Sequence, residues 1–152
     1  MRMIMKSKER TKKVMPFPEG SCPSCGTLMR LAKGILKFPV NGEDLSVADS
    51  SHLKCPKCKE VVLRLDEARK LRERANDAYR KKYGLLSSNE IRSLRERIGL
   101  TQAELAQLLG LGQNTLSRWE AGRNVQSVAM DYLLRLVRDL PGTLDYLRKL
   151  AA

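Results

Sequence analysis

A single histidine, His52, stands in 152 residues. That scarcity excludes most acid–base chemistry that works near neutral pH. The chain also lacks a carboxylate pair in a cleft-like motif and a glycine-rich phosphate loop, so nothing in it points to an enzyme. Aromatic residues make up only 5% of the sequence. Cores are therefore modest, and two small domains fit the length better than one large one. No apolar run approaches the roughly 18 residues of a membrane span, and Met1 to Val14 lacks the apolar core of a signal peptide. A cytoplasmic protein with no membrane partner is expected. In that compartment the four cysteines stay reduced, which leaves metal ligation or redox chemistry rather than structural disulfides.

Positive charge is what the chain has in excess. Lysine and arginine number 29 against 17 acidic residues, giving +12 and a pI near 9.9, a balance that favours a polyanionic partner or a membrane surface. Its distribution is uneven: residues 87–152 hold nine basic and seven acidic residues, a net of +2, which leaves +10 on the first 86. One zinc ion on four thiolates lowers the total to +10 without altering that conclusion. Residues 1–20, with six basic and two acidic side chains and prolines at 16 and 18, read as a disordered basic arm suited to phosphates without sequence preference. Met3, Met5 and Met15 each offer an alternative start, so part of this arm is open to being a leader.

The cysteines come as C-P-S-C, Cys22 to Cys25, and C-P-K-C, Cys55 to Cys58, with 29 residues between the pairs. Each pair brings two sulfurs to one point, and two pairs complete the tetrahedral set of one structural Zn2+. Neither pair has the strand–helix context of a thioredoxin-like redox site, and a closed four-sulfur site leaves no open position for substrate. Between the pairs, Leu28, Arg30, Ala32 and then Ile35, Lys37, Pro39 alternate, and Asn41-Gly42 is a two-residue hairpin signal. Two or three antiparallel strands are expected, with Ser46 to Ser51 as a polar loop and Val61 to Leu65 as a further strand. His52 reads as a strand or loop residue rather than a fifth ligand.

Asp66 is expected to cap a helix running to about Lys82, stopped by Tyr83-Gly84. Its stripe of Ala68, Leu71, Ala75, Ala78 and Tyr79 is narrow. Arg69, Lys70, Arg72, Arg74, Arg80, Lys81 and Lys82 read as a solvated basic surface or as one lying along a nucleic-acid backbone. Leu85 to Ser88 reads as a hinge, followed by a helix capped by Ser88 or Asn89 with Ile91, Leu94 and Ile98 inward and closed by Gly99.

The segment Thr101 to Gly122 reads as a helix-turn-helix. Thr101 caps a helix whose Leu105, Ala106, Leu108 and Leu109 share one face. Gly110 supplies the left-handed turn, and small Ala106 admits a crossing helix. That second helix, about Gln113 to Ala121, buries Leu116 and Trp119. Gln113, Asn114, Thr115, Ser117 and Arg118 gather at its start, and amides and a guanidinium match the major-groove edges of adenine and guanine. Ser127 then caps a helix with a wide apolar face, Met130 to Leu140. Some of that face is in excess of what the small core needs and suits a second copy of the chain. After Pro141-Gly142, Thr143 is expected to cap a last short helix with Leu144, Leu147 and Leu150.

The segment G-L-T-Q-A-E-L-A-Q-L-L-G, Gly99 to Gly110, resembles the helix-turn-helix of phage repressors and the XRE family. The resemblance implies that Gln102 faces a phosphate, that Gln113, Asn114 and Arg118 reach bases, and that Arg95 and Glu120 form a buried ion pair. The whole order of cysteine pairs, connecting helix and S-R-W-E-x-G, Ser117 to Gly122, resembles the MqsA (YgiT) antitoxin family over Ser21 to Leu150. That family implies a zinc half that binds an mRNA-cleaving ribonuclease toxin, and a C-terminal half that dimerises on palindromic double-stranded operators. Asn114 and Arg118 then read bases; beside that resemblance, Arg123 is expected to hold a phosphate. Lys59, where many relatives have glycine or another residue, and the basic leader depart from the pattern.

These readings combine into an α+β chain: an arm over 1–20, a four-cysteine β domain over 21–64, a connecting helix and hinge over 65–86, and a five-helix DNA-binding and dimerisation domain over 87–152. The expected function is a repressor and antitoxin. The reading beside it is a stand-alone zinc-containing XRE-family regulator with no toxin.

Overall fold

The computed structural model describes Gly20–Ala151. Except for Gly20, the expected basic arm lies outside the described residues. Three strands, β1 (Arg30–Val40), β2 (Glu43–Lys54) and β3 (Val61–Val62), form an antiparallel sheet in the order β1-β2-β3. Helices follow: α1 (Leu65–Lys82), α2 (Ser88–Arg97), α3 (Gln102–Leu108), α4 (Thr115–Glu120), α5 (Val128–Asp139) and α6 (Thr143–Leu150). The mixed class and the five helices after Ser87 are as expected. No helix among the described residues is long and apolar enough to cross a membrane.

The hairpin turn is made by Asn41 and Gly42, both at positive φ (50° and 84°), the backbone that the twist of a two-residue hairpin demands. Ser46 to Ser51 is not a loop: it lies within β2. Gly34 pairs with Ser50 and Leu36 with Val47, so Ile35 faces two residues across a β-bulge in which Asp49 takes φ 50°. The bulge shifts the inward set from Leu45 and Val47 to Ser50 and His52. Alternation with period two therefore breaks in the middle of the strand. Ser50 is tolerated inside because its hydroxyl donates to the Val47 carbonyl at 3.0 Å. The strand expected over Val61 to Leu65 is only Val61–Val62.

Helix α1 lies on the inner face of this sheet. Leu71 and Ala75 are buried with Val40, Leu45 and Val47, and Ala78 and Tyr79 pack at the margin. Arg64, not Asp66, occupies its cap position. Asp66 and Glu67 instead sit in the first turn and Arg80, Lys81 and Lys82 in the last, the arrangement that complements the helix dipole.

Helices α2 to α6 enclose a second core of Leu86, Ile91, Leu94, Leu105, Ala106, Leu109, Leu116, Trp119, Leu134 and Val137. Thr101 and Ser87 both form reciprocal capping boxes, with Glu104 and Glu90. Ser87 thus takes the role expected of Ser88 or Asn89. Ser127 caps α5 through the Met130 N–H, whereas α6 is preceded by Gly142 at φ 85° and Thr143 is its first residue, so Thr143 is not a cap. The residues expected to form a hinge are held from both sides: Leu85 belongs to the sheet core and Leu86 to the helical one. Val125, from the loop after α4, is also part of the sheet core.

Candidate nucleic-acid interface and metal centre

The backbone builds the two cysteine knuckles alike. The Cys22 carbonyl accepts from Gly26 N–H at 2.9 Å and the Cys55 carbonyl from Lys59 N–H at 3.1 Å. The residue after each second cysteine turns left-handed, Gly26 at φ 71° and Lys59 at φ 66°. For lysine that conformation costs about 1–2 kcal/mol, and its ammonium donates back to the Pro56 carbonyl at 2.9 Å. The four Sγ atoms lie within 4.8 Å of one another, with Cys22–Cys58 at 3.4 Å, Cys25–Cys55 at 3.5 Å and Cys25–Cys58 at 3.6 Å. A tetrahedron with Zn–S bonds of about 2.3 Å has edges of about 3.8 Å. The residues therefore fit zinc. Hydrogen bonding between Cys25 and Thr27 lowers the Cys25 thiol to about 6, whereas its sulfur neighbours and burial push Cys58 up to about 12. Zinc would supply the cross-link of this small core, since Cys22, Met29 and Cys55 alone make up its buried set. His52 is buried in β2 with Nδ1 2.9 Å from the Ser50 carbonyl, outside the cysteine cluster.

The polar residues expected on the second helix fall at its start and just before it. Gln113 and Asn114 form the turn preceding α4, with Asn114 in the cap position, so the helix is shorter than the expected Gln113 to Ala121. Gln113, Asn114, Arg118 and Arg123 are exposed, and none of their side chains hydrogen bonds to another described residue. Thr115 and Ser117 are half-buried, the Ser117 hydroxyl donating to the Asn114 carbonyl at 3.0 Å. On the opposite face Leu116 and Trp119 enter the core.

Arg95 and Glu120 meet in a fork: Nε donates to Oε1 at 2.6 Å and Nη2 to Oε2 at 3.0 Å. Gln102, which the family resemblance sets against a phosphate, donates its amide to Glu120 Oε2 at 2.8 Å. Arg92, not singled out in the sequence, donates to the Glu120 carbonyl at 3.2 Å. Burial works to raise the Glu120 pKa, but the hydrogen bonds from Arg95 and Gln102 outweigh it and hold the carboxyl below its ordinary 4.5. Asp131 is similar. Burial opposes its ionisation, yet Arg135, the Leu86 N–H and Gln126 keep it below 3.8.

The sequence reading did not single out Asn76 and Arg80. Arg80, grouped there with a basic surface either solvated or lying along a nucleic-acid backbone, is 2% exposed. Its guanidinium donates from Nε to Gln126 Oε1 (3.2 Å), from Nη1 to Ser88 Oγ (2.6 Å) and Asp77 Oδ1 (3.5 Å), and from Nη2 to the carbonyls of Trp119 (3.1 Å) and Asn124 (2.7 Å). All five N–H groups are directed at acceptors. One turn earlier, Asn76 Nδ2 donates to the Gly122 carbonyl at 2.7 Å. The signal in the sequence is slight: an asparagine and an arginine four apart, off the apolar stripe.

Comparison with known proteins agrees with this architecture. A family model described as the antitoxin component of bacterial toxin-antitoxin system, MqsA, matches residues 20–148. Antitoxin HigA-2 of Vibrio cholerae serotype O1 is 37% identical over 65 residues, which are 43% of this chain and 62% of that protein. The chain thus spans less than two thirds of that relative's length.

The protein is expected to carry about one zinc per chain. Chelation should release four reactive thiols together with the strand signal, and added zinc should restore both; thiols that react freely in zinc-loaded protein would contradict the site. The lowered carboxyls set the pH response. Their folded pKa values lie below the unfolded ones, so their stabilisation is complete above about pH 5 and is lost as pH falls through the folded values. The thermal midpoint should drop below about pH 4, and Glu120→Gln, less stable at pH 7, should show a shallower drop. An acid profile identical to wild type would remove Glu120 from the account.

Proposed function

The chain belongs to the MqsA family of antitoxin components, and from that premise we propose that it is a cytoplasmic, sequence-specific repressor of its own operon whose zinc half binds a toxin. The observation that carries the DNA-reading part is the division of α4. Leu116 and Trp119 are buried, and Glu120 is held by Arg95, while Gln113, Asn114 and Arg118 project outward with no partner among the described residues. Polar groups with paired donors and acceptors, left unengaged on a helix whose other side is fixed, are suited to base edges.

In this reading two copies of the chain place their α4 helices in successive major grooves about 34 Å apart on a palindromic operator. Asn114 pairs with adenine and Arg118 with guanine, each worth about 1–3 kcal/mol of discrimination. Gln113, Thr115 and Ser117 line the same approach. Arg123 holds a phosphate, and Gln102 holds another with the amide atoms that Glu120 leaves free. Support for the homodimer comes from Val128, Tyr132 and Leu136 on α5 and Leu140 just after it, which stay exposed, more than a monomer needs to show. Support for toxin capture comes from the family. It comes also from the outer face of β1, where Leu31 and Ile35 are about 70% exposed and Lys33 and Lys37 lie between them and beyond, with Leu28 equally exposed just before the strand. The toxin implied is an mRNA-cleaving ribonuclease.

The test is Arg118→Ala in the zinc-loaded dimer, titrated against an operator duplex and a random duplex of equal length. Operator affinity should fall by about 1–3 kcal/mol while random binding changes little. Equal losses on both duplexes would make Arg118 a backbone contact.

A further inference from the structure

We propose that Asn76 and Arg80 on α1 are positioning residues for the DNA-reading helix, which makes the zinc half of the chain a determinant of operator affinity. The proposal rests on the reading of α4 given above and extends it to residues outside the helix-turn-helix.

Helix α4 has six residues, too few to hold its own shape or aim without support. Core packing of Leu116 and the Arg95–Glu120 fork secure its inner side. The end of the helix and the turn that leaves it are secured from α1. Arg80 Nη2 takes the carbonyls of Trp119 and Asn124, and Asn76 takes that of Gly122. Gly122 is buried at φ 69°, and a Cβ there would lie 3.6 Å from Glu73 Cγ and 3.7 Å from Ser88 Oγ. Val125 then enters the sheet core, and Gln126, which accepts from Arg80, donates to the Leu86 carbonyl at 2.7 Å and to Asp131 at 3.0 Å. Arg123, exposed and unengaged, stands between these held residues. The guanidinium also lies where the α4 carbonyls concentrate negative charge, so its own charge favours the docked position.

Such a clamp acts through population. If the seam opens part of the time, apparent affinity for the operator falls by the fraction of molecules still docked. Lysine does not substitute, because a single ammonium cannot reach Gln126, Ser88 and two separate carbonyls as a planar fork does.

The experiment uses the full zinc-loaded chain with Arg80→Lys, Arg80→Gln and Asn76→Ala, each checked for zinc content and native circular dichroism. Affinity for a selected operator and for random duplex is measured across salt, and amide hydrogen exchange is followed over residues 122–126. Arg80→Lys and Arg80→Gln should weaken operator binding about tenfold, with the salt slope of the wild type and faster exchange at 122–126. Asn76→Ala should move both in the same direction by less. Wild-type affinity and exchange in Arg80→Gln would overturn the proposal. So would full rescue by lysine, or a salt slope reduced by about one, which would mark Arg80 as a phosphate contact. Should the Arg80 variants fail to fold, unchanged binding and exchange in Asn76→Ala would overturn it instead. A wild-type protein with no operator preference would overturn the base-reading premise itself, and the exchange measurement would still judge the clamp.

Discussion

A charged side chain with almost no water around it joins the two halves of this protein. The Arg80 guanidinium reaches from the helix that covers the sheet into the turn behind α4, and burial lowers its pKa against the opposing pull of Asp77. Stranding such a group is costly, roughly 3–5 kcal/mol when the partners of a buried charge are removed. Here it is tolerated because every donor faces an acceptor, three of them main-chain or amide oxygens whose positions the fold already dictates. The reciprocal holds as well. Without Arg80, the Asn124 carbonyl would lose its donor and the Trp119 carbonyl would keep only the Gly122 N–H, so the constraint serves both sides of the seam.

The zinc-fitted centre stands at the far end of the same chain of contacts. Its buried set is only Cys22, Met29 and Cys55, and the sheet beyond it gains its inner cover from α1. Metal, sheet, α1 and the turn after α4 therefore form a continuous series in which each member lacks sufficient core of its own. That arrangement turns the scarcity of aromatic residues into a structural logic. Small cores are joined through one long helix that carries an apolar stripe for the sheet and a polar pair, Asn76 and Arg80, for the helical half.

Where local rules decide the structure, the sequence was readable. Thr101 and Ser127 cap helices because a hydroxyl before an apolar repeat has one common use. Leu105, Ala106, Leu116 and Trp119 are inward because their spacing leaves no other face. Each cysteine pair presents its two sulfurs together because knuckle geometry is short-range. Readability failed where distant parts decide. Ser46 to Ser51 looks like a loop since its polar residues and the shifted phase of alternation conceal a strand that the Asp49 bulge bends. Arg80 looks solvated, for composition does not distinguish an arginine in water from one whose acceptors lie about forty residues on. Leu85 reads as hinge because the core that accepts it is assembled from β1, β2 and α1. Gln102 carries a contact that resemblance alone does not announce: its amide engages Glu120, an arrangement that fixes α3 against α4.

What results is a short helix secured on its inner side by Arg95 and at its end by Arg80, with its outward side chains left unengaged. The account's central claim is that these side chains read base pairs as a symmetric pair. Selection of bound sequences from a pool of random duplexes, using the zinc-loaded full chain at physiological salt, tests it most directly. The account predicts an enriched inverted repeat whose half-sites lie about one helical turn apart and contain the adenine and guanine that Asn114 and Arg118 recognise. A bound pool with no enriched sequence would contradict it.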